Sequence, residues 1–407
     1  MEDAFDILIV GGGMVGGTLA AALAGGPWRV GVIEARPYGA PDQPSYDERN
    51  IALAYGSRRI LEAVGMWPMI SAEAAPITHI HVSDRGYFGA AHVDAREQGV
   101  PALGYVVANR LVGAALMPLL EAADAVELLA PAAVETAQDL GDEVEVRVNT
   151  SDGARLLRTR LLVAADGASS PVRQALGLTA RTERYGQSAV IANVSVDRPR
   201  LGTAYERFTD SGPLALLPLG GERYSLVWTQ REEAAAAVLE WSDADFLAAL
   251  QERFGWRMGR FVAVGRRAAY PLLMVRAEQA WSGRTALVGN ALHSLHPVAG
   301  QGFNLALRDV AALLEVLQDA RDPGAAEGLN RYQRLREPDM ARVIAFTDLL
   351  ARLFAREAPL LGHLRATGLL AADWLAPLNR IMARQNMGLI GRPTHLGSGQ
   401  EPAWHRT

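Results

Sequence analysis

Residues 5–17 read Phe5-Asp6-Ile7-Leu8-Ile9-Val10-Gly11-Gly12-Gly13-Met14-Val15-Gly16-Gly17. The first six form a short apolar run of the buried parallel-strand type. The glycines then permit a sharp turn, and Thr18 to Ala24 is expected to be helical. A second strand is expected from Arg29 to Ile33, ending at Glu34. Together these make a βαβ unit. Its glycines let backbone approach a pyrophosphate, and its helix start offers unpaired N–H groups and partial positive charge. Glu34 is placed to accept a ribose hydroxyl. The helix end contributes only about 0.3–2 kcal/mol, so arginines must supplement it. The unit points to a dinucleotide but does not separate NAD from FAD. A tight turn in an unrelated βαβ unit is the bland alternative.

Two distant segments repeat the theme of a strand that delivers polar residues to a turn. Residues 162–173 run Leu162-Val163-Ala164-Ala165-Asp166-Gly167-Ala168-Ser169-Ser170-Pro171-Val172-Arg173. An Asp-Gly turn with serine as helix cap also explains that stretch. Residues 287–304 run from Leu287-Val288-Gly289-Asn290 through His293 and His296 to Pro297-Val298-Ala299-Gly300-Gln301-Gly302-Phe303-Asn304. N–H groups near Gly300 to Phe303 could hold an anion. No third ligand lies near the two histidines, so no metal is expected there, and hydrogen bonding is their better reading.

Between these segments the pattern changes. Residues 58–75 look helical, 78–93 strand-like, and 109–122 helical again. Strands around Val144–Val148 and Arg158–Ala164 meet at Asp152-Gly153, a hairpin signal. Alternating strands at 188–196, 203–209, 214–218 and 223–229, and a helix near 243–254, suggest an antiparallel sheet inserted into an α/β unit. Beyond residue 325 the chain reads as helix to about 387. There Phe346, Leu349, Leu350, Leu353 and Phe354 share one face.

Composition excludes whole chemistries. The 407 residues include no cysteine, and all 40 basic residues are arginine. Disulfides, iron–sulfur clusters and thiolate metal sites are ruled out, as are Schiff-base and P-loop lysine mechanisms. A net charge of −5 argues against a nucleic-acid partner. The N-terminal residues lack secretory or transit character, and no apolar run reaches the ~18 residues of a membrane span. The expected location is the cytoplasm. Peripheral contact with the inner membrane is a second expectation, because residues 331–407 hold 11 Arg against 6 Asp plus Glu, a net of +5.

Taken together, the glycine turn, the Asp-Gly segment and the Gly289–Asn304 segment resemble the class A flavoprotein aromatic monooxygenases. The stretch from His296 to Leu305, ending at Arg308-Asp309, resembles the ubiquinone-biosynthesis hydroxylases, most of all the 2-octaprenyl-6-methoxyphenol hydroxylase group. Supporting stretches are Arg49–Ala54, His81–Gly86, Val190–Val194, Glu206–Thr209 and Phe254–Arg257. Two positions depart from the broad pattern: Asn290 stands where most members carry aspartate, and Ala306 where glycine is common.

The resemblance implies a p-hydroxybenzoate-hydroxylase-like α/β fold. An FAD-binding Rossmann-type domain (1–75, 101–180, 276–340) carries an inserted antiparallel-sheet substrate domain (76–100, 181–275) and a C-terminal helical region (341–407). It assigns FAD to Gly11, Gly13, Met14, Val15, Gly16, Glu34, Ala35, Arg36, Arg49, Arg110, Val134, Asp166, Gly167, Asn290, Gly300, Gly302, Phe303 and Asn304. Pro297, Gly300, Gln301 and Gly302 become the catalytic loop along the isoalloxazine. Leu214, Leu216, Pro218 and Trp228 become the substrate wall. The implied chemistry is reduction of FAD by NADH or NADPH, reaction with molecular oxygen to a C4a-hydroperoxyflavin, and oxygen transfer to the ring of a polyprenyl phenol. Other ubiquinone-synthesis proteins are further expected partners. Two alternatives remain at this level: hydroxylation of another ring position or another phenol, and a flavin-binding assembly subunit without turnover.

Overall fold

The structure, a computed structural model, describes residues 3–38, 49–295, 300–355 and 359–405, the side chains of 350–361 and 364 excepted. Two large sheets and a small three-stranded one all contribute residues to the wall of one cavity.

The first sheet runs in the order Trp281–Ser282, Thr285–Leu287, Gly153–Ala164, Ala4–Val10, Val30–Ile33, Val126–Leu129. Its centre is parallel: Ile9 lies opposite Val163 on one side and Val32 on the other. Parallel strands covered on both faces need apolar side chains throughout. Ile7, Leu8, Ile9, Leu162, Val163 and Leu287 are accordingly fully buried. The helices Met14–Leu23, Asn109–Glu121 and Gly302–Leu317 belong to the same core. The Asp152-Gly153 hairpin forms as its sequence suggests, pairing Thr150 with Gly153.

Among the described residues the second sheet has nine strands, including Ala180–Val196, Thr203–Thr209, Gly212–Pro218, Arg223–Arg231 and Ala268–Ala277. All its pairs are antiparallel except Thr203–Thr209 with His79–Asp84. The helices Glu232–Glu240 and Asp243–Phe254 cover one face, where Trp228, Phe246 and Leu250 are buried. The first of those helices is not anticipated from the sequence, whose alanine run carries little periodicity. The other face borders the cavity.

Residues 58–75 depart from expectation. Helix is confined to Tyr55–Ala63 and Trp67–Ile70, and Ala75–Ile77 is a strand. Gly65 at φ +85° breaks the first helix. The strand joins Asn50–Ala54 and Gly104–Ala108 in a three-stranded sheet. After Ala326 the described chain is helical over Ala326–Ala355, Pro359–Trp374 and Ala376–Asn386. No described helix is long and apolar enough to cross a membrane.

Candidate active site

The cavity, of about 1040 Å³, runs from the glycine turn to the C-terminal helices. Ordinary small-molecule sites hold roughly 300–1,000 Å³, so there is room for a large ligand and part of a second.

At one end lies the turn after Ala4–Val10. Gly11 sits at φ +102°, and a Cβ there would run into the Ala165 carbonyl. A Cβ on Gly16 would run into the carbonyl of Gly11. The turn is therefore tight for steric reasons, and it leaves Gly11, Gly13, Met14 and Val15 on the cavity wall. Glu34 takes backbone N–H donors on both carboxylate oxygens, from Gly12 at 2.9 Å and from Arg36 at 3.0 Å. Those bonds fix its position and leave lone pairs for a hydroxyl donor.

The strand Gly153–Ala164 delivers Asp166 to the same wall. Its Oδ2 accepts the Val172 N–H at 3.1 Å, while the Ser170 hydroxyl accepts the Arg173 N–H at 3.0 Å. Serine is thus a helix cap, and the aspartate still faces the cavity. Asp166 Oδ1 is buried without a partner. Burial pushes this carboxyl upward, opposed by Ser170 and the Val172 N–H. A buried acceptor costs free energy until a donor arrives. An FAD hydroxyl is a donor of the right kind, and the bare glycine turn suits its pyrophosphate. The residues present fit FAD.

The third segment arrives from Thr285–Leu287. Asn290 and Gly300 to Asn304 line the cavity. Asn304 acts as a brace: its side chain accepts the Ala54 N–H at 2.7 Å and donates to the Ala52 and Gly300 carbonyls, each at 2.8 Å. Gln301 donates to the Asn386 carbonyl at 3.2 Å. Pro297 lies outside the described residues, as does His296. His293 is buried against Asp309 at 2.7 Å, which also takes the Gly289 N–H and Arg336 Nε. The hydrogen-bonding reading of His293 therefore holds.

Ala35, Arg36, Arg49, Val134 and Gly167 also reach the cavity wall. The Arg49 guanidinium lies 4.9 Å from the Tyr270 ring centroid. Arg110 is not brought there: it is half exposed and pairs with Glu73 at 3.4 Å. Gly16 supports the wall from behind.

The expected substrate wall needs correction. Leu214, Leu216 and Trp228 are fully buried on the helix-covered face of the second sheet, with Trp228 against Phe246 at 5.6 Å between centroids. Pro218 is buried and is not part of the wall either. Side chains alternate along a strand, so an error of one position selects the wrong face. The cavity receives their neighbours Ala215, Leu217 and Val227 instead. Sequence reasoning also missed Glu206, Tyr270, and Asn379, Met382 and Asn386 of the C-terminal region. Glu206 leaves a faint signal, a charge between Ala204 and Phe208 on one strand face. Adjacent Arg207 hides which face is inward. Of the proposed helix face, Phe346 points into the cavity and Leu349 is exposed, while the side chains of Leu350, Leu353 and Phe354 lie outside the described set.

Comparison with known proteins agrees with this geometry. A family profile described as FAD binding domain matches residues 4–347. The ubiquinone hydroxylase UbiL of Rhodospirillum rubrum is 41% identical over 95% of this chain and 90% of its own. The 3-demethoxyubiquinol 3-hydroxylase of Escherichia coli is 35% identical, covering 94% and 98%. Among solved structures, p-nitrophenol 4-monooxygenase PnpA of Pseudomonas putida superposes with a TM-score of 0.80 at 21% identity, over 97% of this chain and 100% of that one.

Proposed function

The chain belongs to the FAD-binding-domain family and, within it, to the ubiquinone-biosynthesis hydroxylases; from that premise we propose that it hydroxylates the ring of a polyprenyl phenol, 2-polyprenyl-6-methoxyphenol, using FAD, NADH or NADPH, and molecular oxygen. The observation carrying this reading is the continuity of one cavity from the nucleotide-type turn to an apolar chamber. When bound and reduced, the flavin supplies activation of oxygen for transfer of one atom to the ring.

The chain's own residues bind, orient and exclude water. Gly11 and Gly13 would admit the pyrophosphate, Glu34 the ribose, and Asp166 Oδ1 a ribityl hydroxyl. Asn290, in the common aspartate's place, keeps a hydrogen-bonding amide there. N–H groups at the start of Gly302–Leu317 would favour negative charge on the flavin's pyrimidine edge. Ala215, Leu217, Val227, Ile80 and Val82 would hold the ring in a dry chamber. The prenyl tail would follow the apolar wall toward Leu369, Ala372 and Met382. The domain limits 1–75, 101–180 and 276–340 for the flavin unit, and 76–100 and 181–275 for the substrate unit, are part of this reading.

A membrane contact completes it. The helix Ala376–Asn386 turns Met382, Ala383 and Asn386 to the cavity. It leaves Leu378 and Ile381 exposed beside Arg380 and Arg384, next to exposed Trp374 and Leu375. An apolar face flanked by arginine suits an anionic lipid surface, where the substrate resides.

A second reading, hydroxylation at another ring position, is favoured by the similarity to 3-demethoxyubiquinol 3-hydroxylase. Expression in ubiquinone-deficient strains, with mass spectrometry of the accumulated intermediate, decides between them. Restored ubiquinone in the strain that accumulates polyprenyl-methoxyphenol supports the first. Rescue only of a strain blocked at another position supports the second, and no rescue of any strain rejects both.

A further inference from the structure

The strand Thr203–Thr209 turns Ala204, Glu206 and Phe208 toward the chamber. Glu206 sits opposite Val82 on one side and Ala215 on the other. The row continues through Val227 to Ile191. A carboxyl thus stands in an otherwise apolar floor. It has no hydrogen-bond or ion-pair partner among the described residues. Its remaining exposure is to the chamber, and burial alone pushes it up to about 7.

The neighbouring charges are already engaged or face elsewhere. On its own strand, Arg207 Nε donates to the Arg253 carbonyl at 3.0 Å. On the adjoining strand, His81 lies on the opposite face and meets Arg257 at 3.2 Å, while Asp84 shares the Glu206 face and is held by Arg365 at 2.8 Å. The paired strand Gly212–Pro218 carries no ionisable side chain. From the other walls come Arg49, stacked on Tyr270, with Glu34, Arg36 and Asp166 near the glycine turn. The C-terminal helices contribute the neutral amides Asn379 and Asn386.

An unpartnered acid in an apolar floor is costly unless a ligand completes it. We propose that Glu206 is the catalytic base that accepts the proton of the substrate's phenolic hydroxyl, an assignment that rests on the hydroxylase reading above. The phenolic O–H bond breaks, its proton moves to a Glu206 carboxylate oxygen, and its electron pair stays on the ring oxygen. Electron density rises at the ortho and para carbons, the positions that an electrophilic oxygen attacks. The step involves no oxidant, and the proton returns to water when the product leaves. A base whose proton affinity lies near working pH suits this role.

The test uses FAD-loaded full-length protein and 2-farnesyl-6-methoxyphenol as probe. Without reductant, a fraction of the bound probe should appear as phenolate in the wild type, growing in with a midpoint near pH 7 as Glu206 ionises. That conversion should be absent in Glu206→Gln and Glu206→Leu. The leucine variant removes a buried acid from apolar surroundings and so guards against misfolding; retained FAD certifies both. With reductant and oxygen, kcat should rise through the same pH range in the wild type. It should fall about a hundredfold or more in the variants, with loss of the rising limb. Wild-type phenolate conversion and pH profile in either folded variant would overturn the assignment, as would a wild type that binds the probe without ionising it. A wild type that ionises the probe yet never hydroxylates it would sink the hydroxylase reading while supporting the proton acceptor.

Discussion

At the scale of single residues, Asp166 is the most exacting test of the cofactor site. Its Oδ2 is engaged by a backbone N–H, and its Oδ1 is buried with no partner. A hydrogen bond to a charged group is worth about 1.5–3 kcal/mol. Asp166→Ala should therefore weaken FAD binding about tenfold to a hundredfold, read by titrating the flavin-free protein and following flavin fluorescence. Unchanged affinity would remove Asp166 from the site. The Asp-Gly dipeptide was legible as a turn, and its serine as a cap. The open acceptor was not, because only the folded backbone reveals which lone pairs are already used.

At the scale of elements, the strand Gly212–Pro218 carries the lesson. Its sequence, Gly-Pro-Leu-Ala-Leu-Leu-Pro, is apolar throughout, so no polar residue marks an outer face. Both faces are in fact covered, one by helices and one by the chamber. Leu214→Ala should lower stability by about 2–5 kcal/mol in chemical denaturation, because Leu214 is fully buried in the helix-side core. Ala215→Phe should instead raise KM for the phenol with little loss of stability, because Ala215 faces the chamber. The reverse pattern would mean that the strand register is wrong. Hydrophobic content located this strand from sequence, but no local signal could choose its inner face.

At the scale of the whole molecule, two arrangements link distant parts. Asp309, fully buried, gathers Gly289, His293 and Arg336, and Arg336 continues to Asp339 at 2.7 Å. Burial would raise the Asp309 carboxyl, but His293 and Arg336 hold it below its ordinary range. Asp309→Asn leaves Arg336 poorly compensated and should cost about 3–5 kcal/mol. A depressed carboxyl stabilises the fold above its unfolded pKa, so the wild-type advantage should be full at pH 7. It should close only as pH falls below the ordinary aspartate range, checked by denaturation across pH. The second arrangement is the outward face of Ala376–Asn386. Trp374→Ser with Ile381→Ser should abolish cosedimentation with phosphatidylglycerol-containing vesicles while FAD stays bound; a wild type that does not cosediment would refute the lipid contact. What the sequence alone determined is local: three strand-to-turn segments whose glycines and polar residues suit a dinucleotide, and the cysteine- and lysine-free composition that narrows the chemistry. Only tertiary structure decided that Asn304 braces Ala54 across 250 positions, that Arg110 stays away from the cavity, and that Glu206 rather than Trp228 faces it. Turn conformation is set by neighbouring residues, whereas the side of a sheet that becomes a chamber wall depends on what packs against the other side.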